Sequence, residues 1–333
     1  MKSRTFSHLF FKLLAATLIT ATITGSCKKK EPTIPSVVMD PLSSVTTTSA
    51  SGGGLIIDDG GASIVSRGLC WNTNSGPTIT DGNAPAGSGM GSFSATLTGL
   101  TATTRYYVRA YATNEAGTGY SSELILQTMA GTVTDVDGNV YQTVGIGPME
   151  WMAENLKVTH YRNGAGIPKI TDYNQWAGSK VGAYTWYAND KEMYGKYYGA
   201  LYNWFAVNDS AGLCPEGWHI PSAAEWDTTF YALGGDAVAG GKLKSTLTNL
   251  YQQPYWFLPN YYGTNESGFN ALPGGFRSFI EGAFSGLSAS GIWWSSTPDS
   301  IDIKGTFLTT NSGAAFRELI NRNTGASVRC VKD

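Results

Sequence analysis

The sequence predicts a β-rich protein of two domains. Its 333 residues exceed the roughly 100 to 200 residues of one typical domain, so we expect two hydrophobic cores. Charged residues make up only 14% of the chain and aromatic residues 12%, which argues against disorder and against a long-helix protein. Between residues 36 and 129, short runs of alternating apolar residues are separated by Gly, Asn, Asp and Thr, a pattern typical of antiparallel strands.

The chain begins with a predicted export signal over residues 1–26, which we exclude from the fold. Three basic residues precede a short apolar run, and small residues then lead into Cys27. This end of the segment resembles a bacterial lipobox, which implies that Cys27 is lipid-modified. An ordinary secretory signal with an incidental cysteine is the alternative. Residues 27–35 are charged and contain proline, so we expect a short tether.

Net charge and hydropathy bear on location and partners. The predicted signal holds three basic and no acidic residues, so its removal changes the net charge from −2 to about −5. Such a chain offers no basic field for the phosphates of a nucleic acid. No later stretch approaches ~18 apolar residues, so acyl chains would supply the membrane contact. We expect a lipid anchor in the bacterial outer membrane, on its periplasmic or cell-surface side.

Residues 36–129 are predicted to form a small β-sandwich. The clearest strand covers 106–112, where every second residue, beginning with Tyr106, faces the core. Leu100 followed by Tyr106 resembles the tyrosine corner of fibronectin type III domains, and Trp71 is expected at the packing centre of an earlier strand. Modules of this kind are mostly spacers, and we expect a spacer here rather than a ligand reader.

Residues 130–333 have a different composition, with nine of the ten tryptophans and 14 of the 18 tyrosines. Asp137-Gly138 predicts the turn of a hairpin. Ser222 and Glu225 predict a capping box that starts a helix over 222–233, and a second helix is expected over 241–251. The spacing around the hairpin turn is similar to the start of a calcium loop, but it lacks the required Gly and Glu.

Short motifs are spread in order over this second half. They are WMAENL at 151–156, YNW at 202–204, CPEGWH at 214–219, LPGG at 272–275, WWSS at 293–296 and VRCV at 328–331. Together they closely resemble the Fibrobacter succinogenes major paralogous domain. The resemblance implies an α+β C-type-lectin-like fold, and members are typically exported lipoproteins with no defining biochemical activity.

The resemblance also implies a disulfide. In C-type-lectin-like domains such a bond ties the start of the helical part to the last strand, which here joins Cys214 to Cys330. With Cys27 assigned to lipid, Cys70 is left as a buried small apolar residue. This pairing also argues against the reactive cysteine pair of the sulfatase-modifying enzymes, which are similar to this fold.

The inventory of catalytic and metal-binding residues is thin. After residue 26 the histidines are His160 and His219, and neither His-x-x-x-His nor Cys-x-x-Cys occurs. No Gly-x-Ser-x-Gly elbow is present for a serine hydrolase. We therefore expect no metal, no cofactor and no catalysis, and we interpret His219 as a structural residue. A glycosidase needs two suitably spaced carboxylates, and that alternative stays open.

Aromatic residues favour a binding role. Aromatic faces stack on sugar rings, and the family's loops and the strand beneath them carry aromatic pairs, together with Phe279 and Phe284. The candidates for exposure and ligand contact are Trp293, Tyr261, Tyr262 and Arg277. Five other tryptophans are expected in the core, namely Trp151, Trp204, Trp218, Trp226 and Trp294.

The calcium-dependent sugar motifs of true lectins are absent, since Pro254 is followed by Tyr255 and Trp294 by Ser295. We expect a calcium-independent glycan or a surface protein as the ligand, bound by a non-catalytic module or adhesin. The alternatives are a surface glycan-processing enzyme and a structural component of a surface assembly such as a pilus tip.

Overall fold

The computed structural model describes residues 30–248, 255–299 and 302–333. The predicted signal and the predicted lipidation site Cys27 lie outside the described residues, as does the first part of the tether. Residues Pro32–Asp333 form one compact unit. Within the described ranges, no helix is long and apolar enough to cross a membrane.

The first eight strands form a β-sandwich, called here the sandwich. They are β1 (Ser36–Met39), β2 (Ser49–Asp58), β3 (Ser66–Asn72), β4 (Gly82–Pro85), β5 (Gly91–Thr98), β6 (Arg105–Asn114), β7 (Gly117–Tyr120) and β8 (Leu124–Gln127). One sheet has the order β1-β2-β5, and the other has the order β4-β3-β6-β7 with β8 paired to β6. All these pairings are antiparallel.

The core of the sandwich follows the predicted alternation. Tyr106, Val108 and Ala110 of β6 are buried against Leu97 of the facing sheet. The Tyr106 hydroxyl accepts a hydrogen bond from the Thr101 amide at 3.1 Å, which confirms the expected corner. The expectation for Trp71 was wrong. It is only partly buried near the end of β3, and fully buried Leu69 takes the central position.

The remaining residues form a second part, called here the head. Its strands are β9 (Gly131–Thr134), β10 (Val140–Ile146), β11 (Met149–Met152), β12 (Tyr184–Thr185), β13 (Leu201–Tyr202), β14 (Trp218–His219), β15 (Gly274–Arg277), β16 (Phe284–Leu287), β17 (Ser290–Asp299), β18 (Asp302–Thr309), β19 (Phe316–Ile320) and β20 (Val331–Lys332). Its helices are α1 (Tyr173–Gly178), α2 (Lys196–Tyr198), α3 (Trp204–Val207), α4 (Ala223–Ala232) and α5 (Asp236–Leu243), with a 3₁₀ turn at Tyr187–Asn189 and a π-helical turn at Lys191–Gly195.

Two five-stranded sheets dominate the described part of the head. One has the order β14-β20-β11-β10-β9, so the last strand lies inside a sheet built from the first strands of the head. The other has the order β16-β15-β17-β18-β19. Strand β17 separates two hydrophobic clusters, since Trp294 packs into one and Trp293 into the other. The β9–β10 hairpin turns at Asp137-Gly138 as predicted.

Helix α4 confirms the predicted capping box, with the Ser222 hydroxyl and the Glu225 carboxylate each binding the other's backbone amide. The prediction of a second helix over 241–251 was wrong, because α5 begins earlier and ends at Leu243. Helix α5 needs glycine at positions 240 and 241, since neighbouring backbone leaves no room for a Cβ atom. Such an atom would lie 2.2 Å from the Ala314 carbonyl oxygen at Gly240 and 2.4 Å from the Tyr262 carbonyl oxygen at Gly241. Packing, and not helix propensity, decides the position of this helix.

The cysteines behave as the family resemblance implied. Cys214 and Cys330 form a disulfide across 116 residues, with their Cα atoms 5.9 Å apart. It ties the segment before α4 to the strand β20. Cys70 is free and buried in the sandwich, where burial raises the pKa of its thiol to about 11.

The sandwich and the head are joined at residues 129 and 130 and by one charged pair. The Ala130 amide donates to the Thr143 carbonyl at 2.6 Å, and the Met129 amide donates to the Thr46 carbonyl at 3.1 Å. Arg105 of the sandwich lies 3.6 Å from Glu266 of the head. Consecutive residues are thus bonded to the sandwich and to the head, and the Arg105–Glu266 pair crosses between the two parts.

Candidate ligand-binding surface

The most exposed of the predicted site residues lie on residues 257–262, called here the tyrosine loop. Tyr261 is 50% exposed and Tyr262 is 74% exposed. Phe257 and Leu258 on the same loop are also exposed. The two tyrosine rings lie 6.2 Å apart, tilted by 39°. The loop therefore presents several large apolar side chains to solvent, two of them with hydroxyl groups.

The backbone of the tyrosine loop is fixed from below by a buried lysine. Lys244 is fully buried, and its Nζ donates to the carbonyls of Tyr261, Thr309 and Ser312 at 2.8 to 2.9 Å. The same ammonium lies 5.3 Å from the Trp256 ring centroid, a cation–π distance. Burial lowers the pKa of Lys244 to about 8. Because one side chain holds three carbonyls, it joins the loop to the turn after β18.

Tyr262 itself is held in an unusual backbone conformation. Its φ is 60°, a left-handed value that is costly for a bulky residue. Two glycines make room for it, since a Cβ atom on Gly241 or Gly313 would lie within 3.0 Å of Tyr262 atoms. The Tyr261 amide donates to the Thr310 carbonyl at 2.9 Å. The surrounding structure thus determines how the two rings are displayed.

The expectation that Trp293 is exposed was wrong. It is fully buried, and its Nε1 donates to the Asn155 side-chain oxygen at 2.8 Å. Successive side chains of a strand point to opposite faces, and both faces of β17 are covered. Trp293 and Trp294 are therefore both core residues. The five tryptophans expected in the core are all buried, as predicted.

The expectation for Arg277 was also wrong, because its side chain is fully buried in the head. Its guanidinium donates to the carbonyls of Ile170, Thr171, Asp172 and Gly282 at 2.6 to 3.0 Å. Burial lowers its pKa to about 10, which leaves the group charged near neutrality. Arg277 acts on these two loops as Lys244 acts on the tyrosine loop.

Above Arg277 lies a second group of exposed apolar residues. The guanidinium carbon is 5.5 Å from the Tyr173 ring centroid and 4.8 Å from that of Phe284. Tyr173, Phe279 and Ile280 are exposed, and Phe284 is partly buried. The sequence places Phe279 and Phe284 among the aromatic residues of this segment but does not identify them as candidates for ligand contact. Aromatic residues in the loops of such a domain fill the core as often as they reach solvent.

The structure places His219 between two carboxylates. Its Nε2 lies 2.8 Å from Glu225 and its Nδ1 lies 2.7 Å from Asp333. Burial alone would lower the pKa of His219, but the hydrogen bonds to Asp333 and Glu225 outweigh it and raise the pKa above its usual range. Both ring nitrogens are used, in keeping with the structural role predicted. Among the residues that the structure describes, no cluster of His, Cys, Asp or Glu could hold a metal ion.

The predicted calcium-like segment is an internally bonded turn. The Asp135 carboxylate accepts from the amides of Asp137 and Asn139 at 2.9 Å and from the Tyr141 hydroxyl at 2.6 Å. Its oxygens therefore serve the hairpin, and the spacing of polar residues there reflects turn chemistry.

Solved structures resemble a minor part of the chain, and no curated protein sequence matches it. The sensor domain of the anti-sigma factor RsgI4 from Pseudobacteroides cellulosolvens is 22% identical over 30% of this chain and 97% of its own, with a TM-score of 0.23. A fibronectin type III domain of the human KIAA0970 protein is 11% identical over 28% of this chain and 72% of its own, with a TM-score of 0.21.

The family comparison covers the head. The family described as the Fibrobacter succinogenes major domain matches residues 144–332, which is more than half of the chain. The matched range contains the disulfide, the tyrosine loop and the three buried cations Lys244, Arg277 and Arg329. The C-type-lectin-like assignment of the head stays a prediction. The chain belongs to the Fibrobacter succinogenes major domain family.

Proposed function

We propose that this chain is an exported, lipid-anchored protein whose head binds a glycan or protein ligand without catalysis, as a binding module or adhesin. The observation that carries the proposal is the tyrosine loop, where two adjacent tyrosines are exposed on a backbone fixed by Lys244. We place the protein at the bacterial outer membrane, on the periplasmic or the cell-surface side.

The geometry of the tyrosine loop suits recognition. Tyrosine offers a large apolar face and a hydroxyl, and it loses little side-chain entropy when it binds. A loop that is ordered before binding also avoids part of the entropic cost of association. Lys244 and the hydrogen bond from the Tyr261 amide to Thr310 supply that order. The exposed Phe257 and Leu258 add apolar area beside the two rings.

The sandwich fits the role of a spacer between the anchor and the head. Its core is a regular packing of aliphatic residues, and its last strand is followed directly by bonds to the head. A Cys27→Ser variant tests the anchor. We expect this change to move the protein from the membrane fraction to the soluble fraction of the exported material, and retention in the membrane would contradict the lipid assignment.

The binding proposal is tested with the whole chain, in mild detergent, on an array of glycans and extracellular proteins, with and without a calcium chelator. We expect chelator-resistant binding that falls at least tenfold in a Tyr261→Ala, Tyr262→Ala double variant. The matched control is Tyr231→Ala, since Tyr231 is 86% exposed on α4 and lies outside the loop. An equal loss of binding in the Tyr231→Ala control would contradict the proposal. So would a folded sample that binds neither a glycan nor a protein on the array.

The same samples separate the alternative functions. Release of new reducing ends from a bound polysaccharide would favour a glycan-processing enzyme. Copurification with the subunits of a surface assembly would favour a structural role.

A further inference from the structure

A second concave surface on the head, called here the lysine cleft, lies away from the tyrosine loop in sequence. It is a cavity of about 480 Å³, lined among others by Asp137, Lys157, His160, Trp186, Lys191 and Lys196. Its volume is within the usual range of about 300 to 1,000 Å³ for small-molecule sites. Its lining is mostly polar, unlike the tyrosine loop.

Two lysines of the lysine cleft lie on the π-helical turn Lys191–Gly195 and directly after it. In an α-helix, residues five apart point about 140° away from each other, because each residue turns by about 100°. A π-turn instead closes its hydrogen bond from residue i to residue i+5, which brings those two residues to the same side. Here it brings both Lys191 and Lys196 to the wall of the cleft.

The backbone before this turn is strained as well. Ala188 has a positive φ of 52°, which is unfavourable for alanine, and it is followed by Asn189 at 62°, a value that asparagine tolerates better than most residues. The Asn189 side chain is fixed by hydrogen bonds with Thr185 and with the Thr171 carbonyl, at 2.8 and 3.2 Å. Such strain and π-turns both concentrate at functional sites. The positive φ values and the π-turn thus both occur in the segment that carries Lys191 and Lys196.

Gly195 lets this segment approach the floor of the lysine cleft. A Cβ atom at position 195 would lie 2.8 Å from the Trp186 ring and 3.2 Å from the Lys191 side chain. The Lys191 ammonium lies 5.7 Å from the Trp186 ring centroid, and the Lys196 ammonium lies 4.6 Å from that of Tyr197. Each ammonium is therefore placed by an aromatic ring.

The lining of the lysine cleft carries three lysines against the carboxylates of Asp137 and Glu192. Lys157 pairs with Glu154 at 2.6 Å. Asp137 accepts hydrogen bonds from the Thr159 amide, the Thr159 hydroxyl and His160 at 2.6 to 2.8 Å, so its oxygens are occupied. Within the described ranges, neither Lys191 nor Lys196 lies within 4.0 Å of a carboxylate. Lys191 and Lys196 are therefore the lysines of the lining that are not ion-paired in the structure.

We infer that the lysine cleft binds an acidic saccharide, whose carboxylate is held by Lys191 and Lys196. The Asn139 side-chain nitrogen and the Thr159 hydroxyl already donate to Asp135 and Asp137, but their oxygens and the Glu192 carboxylate offer acceptors for the hydroxyl groups of a sugar. This inference concerns a site separate from the tyrosine loop and does not depend on binding there.

The experiment is a calorimetric titration of the whole chain with an oligogalacturonate and with a neutral galactose oligomer of the same length. We expect the acidic oligomer to bind, to bind more weakly in high salt, and to lose at least tenfold in affinity in a Lys191→Gln, Lys196→Gln double variant. The charge-preserving Lys191→Arg, Lys196→Arg variant retains binding. A Lys169→Gln, Lys180→Gln variant loses the same charge at two exposed lysines outside the cleft and binds as the unchanged protein does.

Four results would overturn the inference. They are equal binding of the neutral oligomer, tighter binding of inorganic polyphosphate, the same loss in the control variant, and no binding by a sample that unfolds cooperatively. A Tyr261→Ala, Tyr262→Ala variant leaves this titration unchanged, so failure here is distinguishable from failure of the proposed binding at the tyrosine loop.

Discussion

The sandwich and the head satisfy the hydrogen bonds of their backbone groups in different ways. The sandwich core consists mainly of aliphatic residues on paired strands, and its described part buries no charged side chain. The head buries all nine of its tryptophans, together with Lys244, Arg277 and Arg329. Strand ladders satisfy backbone carbonyls in the sandwich, whereas loop carbonyls in the head need donors from side chains.

Lysine and arginine are effective donors for this purpose because one side chain carries three to five N–H bonds. Arg329 shows the pattern again, donating to the carbonyls of Phe269 and Asn270 and to the Asn155 side-chain oxygen. Its guanidinium carbon is 3.9 Å from the Phe269 ring centroid. A few buried cations packed among aromatic rings can therefore order a loop-rich domain.

The largest expected effect concerns the disulfide, for which the sandwich has no counterpart. A Cys214→Ser, Cys330→Ser variant should lower the free energy of unfolding of the head by about 4 kcal/mol, since the bond closes a loop of over one hundred residues. Urea unfolding followed by tryptophan fluorescence measures it, because nine of ten tryptophans lie in the head. An unchanged urea midpoint in the double variant would contradict a stabilising role of the disulfide. Cys70→Ser in the sandwich is the control and should leave the head transition in place.

The next largest effect is the loss of stability when an arginine that binds backbone carbonyls is replaced, and it should differ between the head and the sandwich. Arg277→Met should cost about 3 kcal/mol, because two loops lose the fully buried donor that binds their carbonyls. Arg67 of the sandwich also donates to carbonyls, those of Gly89 and Met90 at 2.9 to 3.0 Å, but it is partly exposed. Arg67→Met should cost less than about 1 kcal/mol, since water replaces the lost bonds. Equal losses by thermal or urea unfolding would show that burial does not separate the two.

The smallest effect is a pH dependence at His219. Its pKa is raised in the folded state, so its contribution to stability is complete below its unfolded value near 6.5 and is lost as the pH rises through the folded pKa. For Glu225, burial would raise the pKa, but the bonds to Ser222 and His219 lower it, so that contribution is lost in acid. The pair is partly exposed, so we expect less than about 1 kcal/mol. Urea unfolding at several pH values should show the decline above pH 6.5 disappear in His219→Gln, and a decline that persists would contradict it.

Local signals predicted a large part of the head. The capping box of α4 and the Asp137-Gly138 turn depend on residues close in sequence, and both are confirmed. The link between Cys214 and Cys330 came from the family resemblance. The capping box and the turn are fixed by a few neighbouring residues, whereas the disulfide joins residues 116 apart and could be expected only from the resemblance.

Exposure at the site depended on packing that the sequence does not reveal. Trp293 is buried because β17 is covered on both faces, and Arg277 is buried because four loop carbonyls need its donors. Asn155, which binds Trp293, and three of the four carbonyls that bind Arg277 lie more than one hundred residues away in sequence. The lysine cleft was missed for a similar reason, since its π-turn at Lys191–Gly195 has no simple sequence signal.

The most direct test of the comparison is amide hydrogen exchange in the unchanged protein and in Lys244→Met. We expect the Tyr261 and Gly263 amides, which are hydrogen-bonded in the structure, to lose protection in the variant, while the amides of β3 in the sandwich keep theirs. Unchanged protection at Tyr261 and Gly263 in a folded Lys244→Met variant would contradict the claim that buried cations order the loops of the head.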